Sequence, residues 1–198
     1  MGKRREIVAV DCETDPFKYG RVPKPFIWGA YDGLDYHEFN STNEFVEWAK
    51  PQRKIFYAHN GGKFDWHFIA HHIEGFEEIT LINGRLSKFK IGEAEFRDSI
   101  NIIPVPLGAY NKDAFDYRKL EADVRDHHMK EIRKYLQSDV FYLYDLISAY
   151  VSEYGINLTQ AGTAVKVWQS LHGKKIDKSS ASFYDHFFPY YYLSLIHI

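Results

Sequence analysis

Asp11 and Glu13, separated by one residue, close the short apolar run Ile7-Val8-Ala9-Val10. On a strand, residues two apart point to the same face, so both carboxylates can converge on one cation. The plain alternative is a solvated strand end, since one D-x-E is expected by chance in a chain this acidic. Another acid, Asp65, ends the segment Asn60-Gly61-Gly62-Lys63-Phe64-Asp65. The glycines let the backbone approach a ligand closely, and Asp65 falls at an expected helix start, where its structural role would be an N-cap. The same N-x-x-x-F-D spacing recurs from Asn111 to Asp116. The first copy is preferred because a strand ends before it and a helix follows it. Asp139 stands four residues after Tyr135 within a long helical pattern. Positions i and i+4 share a face, so the phenol and the carboxylate address one site together. Tyr31 and Asp35 have the same spacing across a strand and turn, where it creates no such facing geometry.

The elements that must position these groups follow from periodicity and punctuation. Strands are expected at Ile7–Val10, Phe26–Tyr31, Tyr36–Phe39 and Lys54–Ala58, with β pattern again from Ile79 to Ile103 around turns at Asn83-Gly84 and Gly92. Helices are expected at Thr42–Lys50, stopped by Pro51, and at Asp65–Glu74. Pro104 to Asp126 reads as irregular. A long helix follows from about His127 to Tyr154, with Ile132, Leu136, Val140, Leu143 and Ile147 tracing an apolar stripe. A last helix is expected at Thr159–Leu171. Alternating strands and helices in 198 residues imply an α/β layered domain.

Taken together, the order and placement of the motifs resemble the DEDDy 3′→5′ exonucleases. That resemblance implies an RNase H-like fold, a central mixed β-sheet with flanking helices. It implies that Asp11, Glu13, Asp65 and Asp139 are metal-binding carboxylates, and that Tyr135 helps to place the attacking water. Further residues narrow the likeness: His59-Asn60 before Phe64-Asp65, Asp98-Ser99-Ile100 with Ile103-Pro104, and Lys112-Asp113-Ala114-Phe115-Asp116-Tyr117. These resemble the proofreading domain of protein-primed family B DNA polymerases, found in phages, adenoviruses and linear plasmids. By that resemblance Thr14, His59, Asn60, Phe64 and Ser99 hold a single-stranded 3′ DNA end, with Phe64 wedged against a base. Lys112 supports the scissile phosphate, and Tyr117 lines the site. Hard oxygen ligands suit Mg²⁺ or Mn²⁺, and two such ions would activate water and stabilise the departing 3′ oxygen. No Y-x-D-T-D-S or S-L-Y-P polymerase motif is present, so the polymerase domain is expected to be absent. Residues 1–180 would form the exonuclease domain, and 181–198 a truncated tail where a polymerase domain would begin. A terminal (primer) protein is a further expected partner.

Composition bounds these readings. The net charge of −2 lacks the basic signature of an electrostatic DNA binder, although bound cations can supply the charge that a carboxylate site lacks. Tyr and Phe each occur 15 times; most of these rings are expected in the core and a minority as stacking platforms for bases. The lone cysteine, Cys12, fits a reducing compartment, and no segment could span a membrane, so a cytoplasmic protein is expected. Two rival readings remain. One is a non-catalytic module that grips single-stranded DNA or a terminal protein. The other is a zinc hydrolase built on His67 and His71, with His127 and His128 as further ligands.

Overall fold

The computed structural model describes residues 5–18, 20–75, 78–109 and 115–173. Lys112, most of the second N-x-x-x-F-D copy and the tail 181–198 lie outside the described residues. The chain divides into two compact units, residues 1–160 and 161–198.

The first unit is built on a seven-stranded mixed sheet of order β3-β2-β1-β4-β7-β6-β5. The strands are β1 (Ile7–Thr14), β2 (Pro25–Tyr31), β3 (Tyr36–Phe39), β4 (Ile55–Ala58), β5 (Thr80–Ile82), β6 (Arg85–Ile91) and β7 (Ala94–Asp98). Strands β1, β4 and β7 run parallel at the centre, flanked by the antiparallel pairs β2–β3 and β6–β5. This is the α/β, RNase H-like architecture expected from the motif order.

Alternation along β1 sends its side chains into two cores. Val8, Val10 and Cys12 join Trp28, Phe45, Trp66, Phe89 and Phe96 on the face covered by α1 (Thr42–Ala49) and α2 (Asp65–Ile69). Ile7 and Ala9 face the other way, into a core closed by α3 (Arg125–Tyr154). On α1, Phe45 stacks on Trp28 of β2, with ring centroids 4.6 Å apart, and the Ser41 hydroxyl caps the helix by accepting from the Glu44 N–H. All five residues of the apolar stripe on α3 are buried, which fixes that helix in rotation and register against β1 and β2. Gly155, in the left-handed region at φ 73°, ends it. The second unit's described structure is chiefly α4 (Gln160–His172) after its first residue, and there Trp168 and His172 pack ring to ring at 4.7 Å.

Two details depart from expectation. Helix α2 stops at Ile69 rather than Glu74 and continues as a 3₁₀ turn, Ala70–His72. Trp66 and Ile69 are its buried apolar anchors, and no residue of the following turn is buried as fully, so little packing holds another α-helical turn. The Gly61-Gly62 pair does approach something closely, but that neighbour is protein rather than ligand. A Cβ on Gly62 would lie 2.4 Å from the Leu86 carbonyl oxygen and 2.9 Å from Asp98 Oδ2. The Gly62 N–H donates to that same Asp98 oxygen at 3.1 Å. The glycines therefore seat the loop that carries Asp65 tightly onto β6 and β7.

Gly62→Ala is accordingly expected to destabilise the protein by about 1–3 kcal/mol, the scale of an over-packed site. Gly75→Ala, where a Cβ meets open space, should stay within about 0.5 kcal/mol of the parent. Urea unfolding of both variants checks the difference, and equal effects would show that the close approach at Gly62 is unimportant.

Candidate active site

Residues singled out in the sequence gather at the carboxyl ends of the three parallel strands, where open α/β sheets usually hold their ligands. Strand β1 ends in Asp11–Thr14, the loop after β4 carries His59 and Asn60, and Asp98 with Ser99 closes β7. A register shift between Glu13 and Thr14, opposite Pro25 of β2, interrupts the β1–β2 ladder at this point, as bulges near binding sites do.

Asp11 and Glu13 are on the α3 side of β1, and α3 presents Asp139 to them. Carboxylate oxygens of Asp11, Glu13 and Asp139 all lie within 4.8 Å of one another. Glu13 and Asp139 are each only 6% exposed. Such a cluster of hard oxygen donors fits Mg²⁺ or Mn²⁺ and gives a soft or nitrogen-preferring ion no favoured ligand. His67 and His71 stand exposed on and just after α2, and among the described residues no histidine belongs to this group. The zinc reading therefore has no ligand set there.

Asp65 occupies the opposite side of the same strand end. It is 3% exposed, and its Oδ1 accepts from the Cys12 thiol at 3.2 Å. Burial raises its pKa to about 6, against the lowering effect of the Cys12 hydrogen bond, while the nearby Asp98 charge pushes it up further. Burial and the surrounding carboxylates also hold the Cys12 thiol well above its ordinary pKa, so it remains a protonated donor. Three of the four predicted carboxylates are thus drawn into one close cluster, and the fourth adjoins it through Cys12.

Tyr135 lies one turn before Asp139 on α3, as the i, i+4 spacing requires. Its ring stacks on Phe115 at 4.2 Å, and its hydroxyl lies 3.1 Å from that of Tyr117. Burial, the Tyr117 hydroxyl and the Asp139 charge all drive the Tyr135 pKa far above the ordinary phenol value. The phenol is therefore neutral at physiological pH.

A pocket of about 410 Å³, within the range of ligand sites, is lined by Asp11, Glu13, Asp139 and Tyr135 together with Thr14, Phe64 and Tyr117. Three predicted binding residues stand outside that lining. Asn60, at φ 62°, accepts from Arg85 Nη1 through its side-chain oxygen at 3.0 Å. The fully buried Ser99 hydroxyl donates to the Ala58 carbonyl at 3.2 Å, which leaves His59 Nδ1–H to donate to it at 3.0 Å. Two residues not singled out in the sequence also belong here: Cys12, which braces Asp65, and Phe17, whose ring lines the pocket beside Phe64. Phe17 lies on a loop, where no periodicity marks it.

No family model matches the chain. It is 38% identical over 190 residues to a DNA-directed DNA polymerase of Enterobacteria phage PRD1, covering 90% of this chain and 34% of the relative. Its fold matches phi29 DNA polymerase complexed with primer-template DNA, with a TM-score of 0.71 and 19% identity, over 84% of this chain and 35% of that one. The complex of phi29 DNA polymerase with single-stranded DNA matches at the same score, identity and coverage. The chain thus spans about a third of the length of these relatives.

Like charges held this close destabilise a cation-free fold. Asp139→Asn is expected to raise stability in chelator at pH 7 by about 1–2 kcal/mol, the scale of one partly buried like-charge contact. The same variant should lose most of the rise in Tm that Mn²⁺ gives the parent. Lower stability of Asp139→Asn in chelator would mean that the carboxylates are not strained against one another.

Proposed function

The chain is related to the protein-primed family B DNA polymerases and spans about a third of their length, and from that premise we propose that it is their metal-dependent 3′→5′ exonuclease domain. It removes nucleotides one at a time from single-stranded 3′ DNA ends. The observation that carries the reading is the cluster of Asp11, Glu13 and Asp139 in one pocket with a neutral Tyr135. A module that merely bound DNA would gain nothing from packing acids against a polyanion. Cations are required to reconcile them.

Asp11, Glu13 and Asp139 would hold the ions, with Asp65 as the fourth carboxylate, reached past Cys12. Bound Mg²⁺ or Mn²⁺ supplies Lewis-acid activation of water and charge neutralisation at the leaving 3′ oxygen. Tyr135 keeps its proton, so it adds no charge to the acid cluster and orients the attacking water by hydrogen bonding. Stacking on Phe115 and the contact with Tyr117 fix the direction of its hydroxyl. Thr14, Phe64 and Tyr117 would hold the strand within the pocket, and His59, Asn60 and Ser99 at the neighbouring strand ends. Lys112, outside the described residues, would support the scissile phosphate. Hydrolysis adds water across the P–O3′ bond and releases a 5′-mononucleotide.

The partners proposed with this reading are a polymerase domain, whose errors the exonuclease would excise, and a terminal primer protein. Among the described residues no helix is long and apolar enough to cross a membrane. Action inside the host cell is part of the proposal.

Incubating an end-labelled single-stranded oligonucleotide with Mg²⁺ or Mn²⁺ should give a ladder shortening from the 3′ end. Asp11→Ala combined with Glu13→Ala should abolish the ladder without unfolding the protein. If the parent binds DNA but releases no nucleotide, the non-catalytic binding module becomes the better reading. Digestion by the double variant at the parent rate would displace the site instead.

Tyr135→Phe is expected to be milder than Asp139→Ala, slowing single-turnover cleavage by about 10²-fold, the scale of one positioned hydrogen-bonding group. Asp139→Ala should approach complete loss, because it removes a metal ligand. Equal losses would contradict this division of roles.

A further inference from the structure

Phe17 is 74% exposed, yet its loop is not loose. A lone exposed apolar ring is common and proves little. Here the backbone on both sides is tied down. Asp15 pairs with Arg125 Nη1 at 2.8 Å, and Lys18 pairs with the Glu121 carboxylate at 2.7 Å. The Asp15 N–H donates to the Lys24 carbonyl at 3.2 Å, and Arg21 closes the excursion from within. Its backbone N–H reaches the Lys18 carbonyl at 3.0 Å and its guanidinium the Pro16 carbonyl at 2.6 Å. Pro16 further restricts the backbone immediately before Phe17. The ring is therefore presented by a rigid support.

It is also presented in a particular place. Phe17 meets Phe64 with centroids 5.4 Å apart and planes tilted by 46°, and Phe68 backs Phe64 edge-on at 5.0 Å. Phe17 and Phe64 together form a wall of the pocket that contains Asp11, Glu13 and Asp139. Phe17 and Phe64 already touch, so a flat ligand cannot slip between them. It can lie on the open face of Phe17 and continue the wall.

We propose that Phe17 is a base-stacking subsite, taking one of the two nucleobases nearest the 3′ end of a bound single strand. The proposal rests on the exonuclease reading for the identity of the ligand. A nucleobase fits because every base has a π-face and aromatic stacking tolerates any sequence, as an exonuclease acting on arbitrary ends requires. A strand whose 3′ end reaches the carboxylates necessarily brings its last bases beside this wall.

Single-stranded oligonucleotides carrying 2-aminopurine at the terminal or penultimate 3′ position, titrated with the whole chain in Ca²⁺, test this. The parent should quench the probe at one of these positions. Phe17→Ala should bind about tenfold more weakly, the size of one base–aromatic stack, and lose the quenching. Phe17→Trp should restore both. On an oligonucleotide whose last two 3′ nucleotides are abasic, the parent and Phe17→Ala should bind equally, and the Tm should not change because the ring is exposed. Equal affinity of the parent and Phe17→Ala for the normal strand overturns the proposal, as does a tenfold loss that persists on the abasic end. Quenching that depends on Phe17 in a parent that releases no nucleotide with Mg²⁺ would sink the exonuclease reading and leave the stacking subsite standing.

Discussion

Carboxylates within 4.8 Å of one another, two of them almost sealed from solvent, repel at neutral pH, and the rest of the fold is arranged to hold them there. Two come from a central strand paired on both sides, and one from a helix locked to that strand by five buried apolar residues. Neither element can yield without disrupting a core of large, fully buried side chains. A site built on loops would relax until the charges separated. Rigidity of this kind keeps the acids in reach of a common cation, and binding one would offset the cost in stability.

The other side of the same strand end solves a related problem by a different route. Asp65 is buried more completely than Glu13 or Asp139, and a hydrogen bond from the Cys12 thiol supports its carboxylate. Cys12 can donate because burial, and after it the surrounding acids, keep its thiol protonated. Asp98, the next acid along the sheet edge, accepts backbone N–H bonds from Gly62 and Ile100. It thereby fixes the loop that delivers Asp65. The chain Cys12–Asp65 on one side and Asp98–Gly62 on the other couples the placement of Asp65 to the packing of two strands.

The frame and the acids were legible in the sequence, because regular periodicity declares a strand or helix and because spacing within either sets which residues share a face. The stripe Ile132, Leu136, Val140, Leu143 and Ile147 gave α3 within two residues of its start, and Tyr135 and Asp139 came with it. Features that depend on tertiary contacts were less visible. The early end of α2 follows from what its next turn fails to bury. Gly61-Gly62 read as a ligand-approach loop, and only the position of Leu86 and Asp98 shows that its close neighbour is protein. The separation of Asp65 from the close trio depends on Cys12 pointing to the opposite face, which alternation allows but a D-x-E motif does not advertise. Phe17 had no signal beyond being one of 15 phenylalanines.

Charge and aromaticity then divide the labour within the pocket. With a net charge of −2 and an acidic floor, the chain cannot draw a nucleic acid strand by phosphate attraction alone. The described lining contributes no lysine or arginine; Lys18 and Arg125 are spent on holding the Phe17 loop in ion pairs. For the strand binding proposed above, affinity would then come largely from cations and from the rings. Two groups of rings line the pocket with the acids: Phe17 against Phe64, and Tyr117 with Tyr135, which stacks on Phe115. Stacking of this kind needs an unpaired base, because a base within a duplex has no free face to offer. If that wall takes bases as proposed, it would favour a frayed end over a paired one. On the proposed exonuclease reading that bias would be useful, because a mismatched terminus exposes its bases more readily than a correct one.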